Sequence, residues 1–274
     1  IFTNKVHMSQ IYDVIIIGAG PAGSTVAYEL ALKNLKVLVI EKEKFPRYKA
    51  CGGGITHKTK QIIPFDIDSV IERVIHKIGF THKYSNYFYK ESSKSLMYCL
   101  MRDRFDDLLI KKAVEKGSAF IDSTKVTGIT ENDEGIVVST SKADYMSKFL
   151  IGADGVNSIV SKYTGIDKEI IKGITLESEL ALENNVSSNE RFFDRVHIDW
   201  GTVPGGYFWI FPKQDHISAG VGGPLSVSKY LKTYYRNILN ELDVRVSEEI
   251  SCKAYSIPYR LSNGNFSKGN ILLV

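Results

Sequence analysis

Three glycines, Gly18, Gly20 and Gly23, followed by a carboxylate at Glu41, carry the most legible chemistry in this chain of 274 residues. They lie in YDVIIIGAGPAGSTVAYELALKNLKVLVIE, residues 12–41. Gly18 allows a sharp turn out of an apolar strand, Gly20 lets the backbone approach a pyrophosphate, and Gly23 lets a helix pack close to the sheet. The free N–H groups at that helix's N-terminus face phosphate charge. Pro21 and Ala22 open the helix, and Pro21 is tolerated because the first helical N–H needs no partner. Glu41 follows Gly23 by 18 residues, close to where an acid meets a ribose hydroxyl pair. An acid there, rather than a base, argues against a 2′-phosphate. The plainer alternative is a glycine-rich turn in an ordinary βαβ unit.

The elements that must hold these residues follow from the pattern. Val14–Ile17 reads as a strand, the Ala-rich stretch after Pro21 as a helix, and Lys36–Ile40 as a second strand. Residues 42–54 read as a loop, 55–73 as helix in pieces broken by Pro64, and 74–101 as strands. Asp103–Lys116 reads as a helix capped by Asp103 and stopped at Gly117. Strand signals return at 119–122, 125–131, 136–141 and 145–151, with a hairpin at Asn132–Gly135. Gly152-Ala153-Asp154-Gly155 then repeats the strand–turn–helix theme, with an acid that can orient a phosphate or ribose, or simply a turn. Residues 170–222 read mostly as strand, 226–242 as helix, 251–259 as strand and 271–274 as a buried strand. That last strand should open into a binding loop, so the chain is expected to continue beyond Val274. Met8 reads as a natural start, with residues 1–7 a disordered extension.

This order predicts an α/β nucleotide domain with a parallel, Rossmann-like sheet, interrupted by a mostly antiparallel sheet domain. The expected bounds are 9–73, 99–168 and 266–274 for the first, and 74–98 and 169–265 for the second. A formal charge of +4 with scattered basic residues argues against a nucleic-acid surface. No apolar run reaches the ~20 residues of a membrane span. Cys51, Cys99 and Cys252 are far apart, which fits a reducing, cytoplasmic setting without a disulfide framework. The histidines are dispersed and no metal site is read.

Two further segments could do chemistry. Cys51-Gly52-Gly53-Gly54 would let backbone run beneath a planar ring, beside a small polarizable thiol, although an isolated cysteine is more often structural. In Tyr207-Phe208-Trp209-Ile210-Phe211, strand alternation puts Tyr207, Trp209 and Phe211 on one side and Phe208 and Ile210 on the other. Such an aromatic wall could line an apolar channel, or be core. Arg104, at the start of a helix, is unfavourably placed for the helix dipole and calls for an anionic partner. That partner could be Asp103 or Asp107.

Together, GAGPAGS at 18–24 with Glu41, FPRYKACGGGIT at 45–56, MRDRFDDLL at 101–109, GADGVNS at 152–158 and YFWIFPK at 207–213 resemble the geranylgeranyl reductase family. That family sits within the p-hydroxybenzoate-hydroxylase-like FAD superfamily. The resemblance spans about Tyr12 to Val274 and implies an FAD-dependent oxidoreductase. It implies that Gly18, Gly20, Pro21, Ala22, Gly23, Glu41, Arg47, Cys51, Gly52, Gly53, Arg104, Asp154 and Gly155 serve the cofactor. Tyr207, Trp209 and Phe211 would line a prenyl channel, and Cys51 and Tyr207 are the candidate catalytic residues. The implied reaction is hydride transfer from reduced FAD to an isoprenoid C=C, on a lipid or prenyl diphosphate. Electrons would come from NAD(P)H or a ferredoxin-like donor, and the substrate implies peripheral membrane contact. The sequence departs from the superfamily at Ser161, where its DG motif usually ends in arginine; Lys162 is the nearest cation. Two alternatives are an FAD monooxygenase or halogenase of the same fold, and a catalytically silent flavin-fold module.

Overall fold

The computed structural model describes residues 11–166, 171–260 and 265–274; Met8 and residues 1–7 lie outside them. The described residues form a mixed α/β fold of two compact units, drawn from 11–47, 106–166 and 265–274, and from 48–105 and 171–260. Residues 48–73 and 99–105 thus belong to the sheet-rich unit, not to the nucleotide domain as expected. The reason is pairing: Gly54–Thr56 and Ile71–Ile75 both hydrogen-bond to Met97–Leu100 in a small antiparallel sheet.

In the first unit, strand Ile11–Ile17 lies between Val37–Ile40 and Asp144–Gly152, parallel to both. Ala119–Ile121 extends the sheet on one side and Ile271–Leu273 on the other, again in parallel. Apolar runs buried on both faces suit such strands, and Ile15, Leu38, Leu150 and Ile271 meet in one core. The hairpin Val126–Asn132/Gly135–Thr140 joins Asp144–Gly152 in antiparallel register. Asn132 Oδ1 ties its turn by accepting from the Glu134 and Gly135 amides.

The second unit is built on a seven-stranded sheet. Its strands run in the order Val246–Arg260, Ile171–Leu182, Ile217–Pro224, Tyr207–Pro212, Val196–Trp200, Lys77–His82, Ser85–Glu91. All neighbours are antiparallel except Val196–Trp200 with Lys77–His82. The helix Leu231–Glu241, preceded by a 3-10 stretch Leu225–Tyr230, covers one face. Leu231, Tyr235 and Ile238 pack there with Leu176, Leu180, Phe208, Ile210, Ala219 and Val221. Because strand side chains alternate, the other face carries Glu177, Glu179, Trp209, Phe211, Ser218 and Gly220.

Candidate functional site

At the nucleotide turn, Gly18 adopts φ +102°, which a side chain would strain. A Cβ on Gly23 would overlap the Gly18 carbonyl oxygen. Helix Pro21–Ala31 begins directly after the turn, with proline at its start, no side-chain cap and no acid in its first turn. Its leading amides and positive dipole end are therefore available to an anion. Gly20 faces open space: the nearest atom to a Cβ built there is Arg47 Nη2 at 3.9 Å. Arg47 is held by a buried ion pair with Asp106, Nη1 to Oδ2 at 2.8 Å.

The carboxylate of Glu41 is buried and accepts from the Ala19 amide at 3.0 Å and the Glu43 amide at 3.1 Å, one on each oxygen. Each oxygen retains a lone pair for a hydroxyl. Asp154 Oδ2 accepts from the Ile159 amide at 2.7 Å, while its buried Oδ1 has no partner. Gly155 turns the chain beside it with nothing within 4 Å of a Cβ. Open glycine, uncapped helix, fixed guanidinium and an orphaned acceptor fit a dinucleotide such as FAD. Glu41→Ala would leave the Ala19 and Glu43 amides without their acceptor beside the turn. It is expected to weaken FAD binding by roughly ten- to hundredfold, matching a loss of about 1–3 kcal/mol, as measured by isothermal titration calorimetry.

The second unit builds a different kind of site. The Cys51 amide donates to Glu177 Oε1 at 2.7 Å, and the Gly53 amide to Cys51 Sγ at 3.4 Å. Lys213 is fully buried, and its Nζ donates to the Gly52 carbonyl at 2.7 Å and the Leu100 carbonyl at 3.0 Å. Gly53 has φ +65°, and a Cβ on Gly52 would lie 2.7 Å from the Phe211 ring. The glycine run is thus explained by aromatic rings against its backbone. On the sheet beneath, Trp209, Gly220 and Glu177 stand in cross-strand register, as do Phe211, Ser218 and Glu179. A side chain on Gly220 would overlap the Trp209 ring, so that glycine makes room for the indole. Trp209 Nε1 is buried with no partner. Tyr207 is half exposed, its ring centroid 5.5 Å from that of Trp209. Burial, with Cys51 nearby, raises its phenol, which stays protonated at neutral pH.

Two acids missed by sequence reasoning lie on this face. Glu177 is 2% exposed, and burial pushes its carboxyl up to about 7 despite the Cys51 amide. Glu179 is also buried, its Oε2 facing His216 Nε2 at 3.2 Å as an ion pair without a well-aligned hydrogen bond. The readable signal was acids at alternate positions in a segment otherwise free of charge, ITLESELAL.

The structure brings Gly18, Gly20, Gly23, Glu41, Arg47, Asp154 and Gly155 into one unit. Cys51, Gly52, Gly53, Tyr207, Trp209 and Phe211 come together in the other. Arg104 pairs with neither expected acid: its Nη2 meets Glu72 Oε1 at 2.8 Å, while Asp107 pairs with Lys111. Asp103 is not the cap of its helix, which starts one residue earlier, at Arg102. Instead its side chain accepts from the Arg104 amide.

Residues 11–197 match the family described as FAD binding domain. An uncharacterized protein of Methanosarcina barkeri is 37% identical over 249 residues, covering 90% of this chain and 63% of that protein. The digeranylgeranylglycerophospholipid reductase of Methanococcus vannielii is 27% identical over 285 residues, covering 97% of this chain and 70% of that enzyme. A solved geranylgeranyl bacteriochlorophyll reductase-like protein from Thermoplasma acidophilum shares the fold. Its TM-score is 0.85 at 21% identity, over 97% of this chain and 70% of that one. The chain therefore spans about two thirds of the length of these relatives. With a dinucleotide turn whose open glycine, uncapped helix and orphaned Asp154 oxygen suit the cofactor, this chain belongs to the FAD-binding domain family, and geranylgeranyl reductase-like proteins are among its relatives.

Proposed function

We propose that the protein saturates C=C bonds of an isoprenoid chain, carried by a lipid or a prenyl diphosphate. The observation that carries this reading is the glycine loop Cys51–Gly54 laid against Trp209 and Phe211. Apolar rings there suit an alkene better than a charged or heavily hydroxylated substrate. The name of the Methanococcus vannielii relative supports the same substrate class.

When bound, reduced FAD supplies hydride. The chain's own residues do the rest. Gly20, Arg47 and the start of helix Pro21–Ala31 would take the pyrophosphate, and Glu41 the ribose. Gly52 and Gly53 would lie near the flavin, with Tyr207, Trp209 and Phe211 aligning the alkene and excluding water. Arg104 would reach the cofactor from its pair with Glu72. NAD(P)H or a ferredoxin-like protein would recharge the flavin. A membrane surface would present a lipid substrate; no helix among the described residues is long and apolar enough to cross a bilayer.

The test is anaerobic incubation of the full-length reduced protein with geranylgeranyl diphosphate or a geranylgeranylated lipid, read by mass spectrometry. The expected result is a stepwise gain of two hydrogens per bond. Product formed only with oxygen consumption would replace the reading with a monooxygenase or halogenase. Cys51→Ala is expected to slow saturation by roughly tenfold while leaving FAD affinity unchanged, an effect of about 1.4 kcal/mol on the barrier. Equal loss of both would make Cys51 a structural residue.

A further inference from the structure

Saturating an alkene consumes a proton as well as a hydride, and no side chain in the sequence stands out as its donor. The sheet face beneath Cys51–Gly54 supplies a line of groups that could hold one. Glu177 lies against the Cys51 amide at 2.7 Å. Glu179 is two residues along the same strand, on the same face, and its charge acts on Glu177. His216 Nε2 is 3.2 Å from Glu179 Oε2, and His216 Nδ1 is 2.6 Å from Asp215 Oδ1. Asp215 is 85% exposed, whereas Glu179 and Glu177 are buried. The line therefore runs from solvent to the underside of the glycine loop.

We propose that Glu177 is the proton store of this site, refilled from solvent through His216 and Glu179. The inference rests on the reductase reading. In that reaction one alkene carbon gains hydride, with its two electrons, from the reduced flavin. The neighbouring carbon gains the proton that the Glu177 carboxyl gives up, directly or through one water. The carboxylate left behind takes a proton relayed from His216, and His216 takes one from water. Glu177 also fixes the Cys51 backbone, so it is a positioning residue as well as a store.

Every group packed around Glu177 bears on its charge. Glu179 disfavours a second negative charge, and Lys213 favours one from beneath the loop. The Cys51 amide and Ser218 also favour the charged form, but burial outweighs them, so the acid is half protonated near pH 7. Tyr48, Tyr235 and, in cross-strand register, Lys253 complete the surroundings. Tyr48 and Tyr235 stay protonated, both raised by burial. For His216, burial works against the charged form, but Glu179 and Asp215 outweigh it and raise its pKa. An imidazole able to carry a proton near neutrality is what the relay requires.

The experiment uses the full-length holoprotein as wild type, Glu177→Gln and His216→Asn. Glutamine keeps an oxygen for the Cys51 amide, so the fold is retained. Infrared titration of protein labelled with 13C-glutamate should show a protonated carboxyl band that fades as pH rises through about 7. The band should be missing in E177Q and its midpoint moved in H216N. In single turnovers, wild-type saturation should fall about tenfold per pH unit above that midpoint, because the donor must be protonated. E177Q should be slower by about 100-fold, the lower end of general-acid contributions, with a flat pH profile and unchanged FAD affinity. A band that persists in E177Q, or a variant that keeps the wild-type rate and profile, would overturn the proposal. A wild type that titrates as expected yet saturates no isoprenoid bond would instead overturn the reductase reading, and with it the role of the proton.

Discussion

Gly23→Ala is expected to leave the protein without FAD. The added Cβ would collide with the Gly18 carbonyl oxygen and approach Ala153 Cβ at 3.1 Å. Both the Gly18 oxygen and the helix that carries residue 23 are backbone, so no side chain can swing away. Helix Pro21–Ala31 must lift from the sheet, moving the uncapped amides proposed to take the pyrophosphate. Overpacking of this kind costs about 1–3 kcal/mol in stability, and the displaced helix end should lower FAD affinity by more than about 100-fold. Purified variant protein should be colourless, with urea denaturation reporting the stability loss. Gly20→Ala separates the two effects. Only Arg47 Nη2, 3.9 Å away, lies near a Cβ at residue 20, so this variant should unfold like wild type yet bind FAD poorly. A yellow, fully loaded G23A protein would show that the turn does not hold the cofactor as described.

Lys213→Met should have the largest effect in the sheet-rich unit. The ammonium is fully buried and its two hydrogen bonds hold the carbonyls of Gly52 and Leu100. Methionine fills much of the same volume but strands two buried acceptors, at about 1–3 kcal/mol each. Destabilisation of about 3 kcal/mol is the expected outcome in urea, together with faster hydrogen exchange at the Cys51–Gly54 amides. Removing the cation also removes a charge that favours ionised Glu177, so the protonated carboxyl should persist to higher pH in K213M. Unchanged exchange in residues 51–54 would show that the loop is held by its aromatic contacts alone.

How much of this was legible depended on how far apart in sequence the cause and the effect lie. The turn from Gly18 to Gly23 was readable because its determinants are local: a turn, a close packing and a helix end within a few residues. Glu41 was readable because its distance from the turn is set by one helix and one strand. The alternation of Tyr207, Trp209 and Phe211 was likewise a property of one strand. What that face packs against was not, since it follows from pairing between strands about forty residues apart and from a loop more than a hundred residues upstream. Glu177 and Glu179 became interpretable only once register placed them beside Gly220 and Ser218. Arg104 required an acid, as its position implied, but the one it found, Glu72, comes from a strand whose pairing with Met97–Leu100 no local pattern specifies. The same sheet moved the unit boundary, because three short strands joined residues that had been assigned to different domains.

The interleaving of the two units has a consequence for the order in which the protein is made. Strand Ile271–Leu273 pairs with Leu150–Gly152, yet every strand of the seven-stranded sheet is complete by Arg260. Chains are synthesised from the N-terminus and fold as segments become available. A nascent chain that has just released Arg260 from the ribosome can therefore hold all seven strands described for that sheet. At that moment the nucleotide-side sheet still presents the unpaired edge of Leu150–Gly152, open to wrong partners.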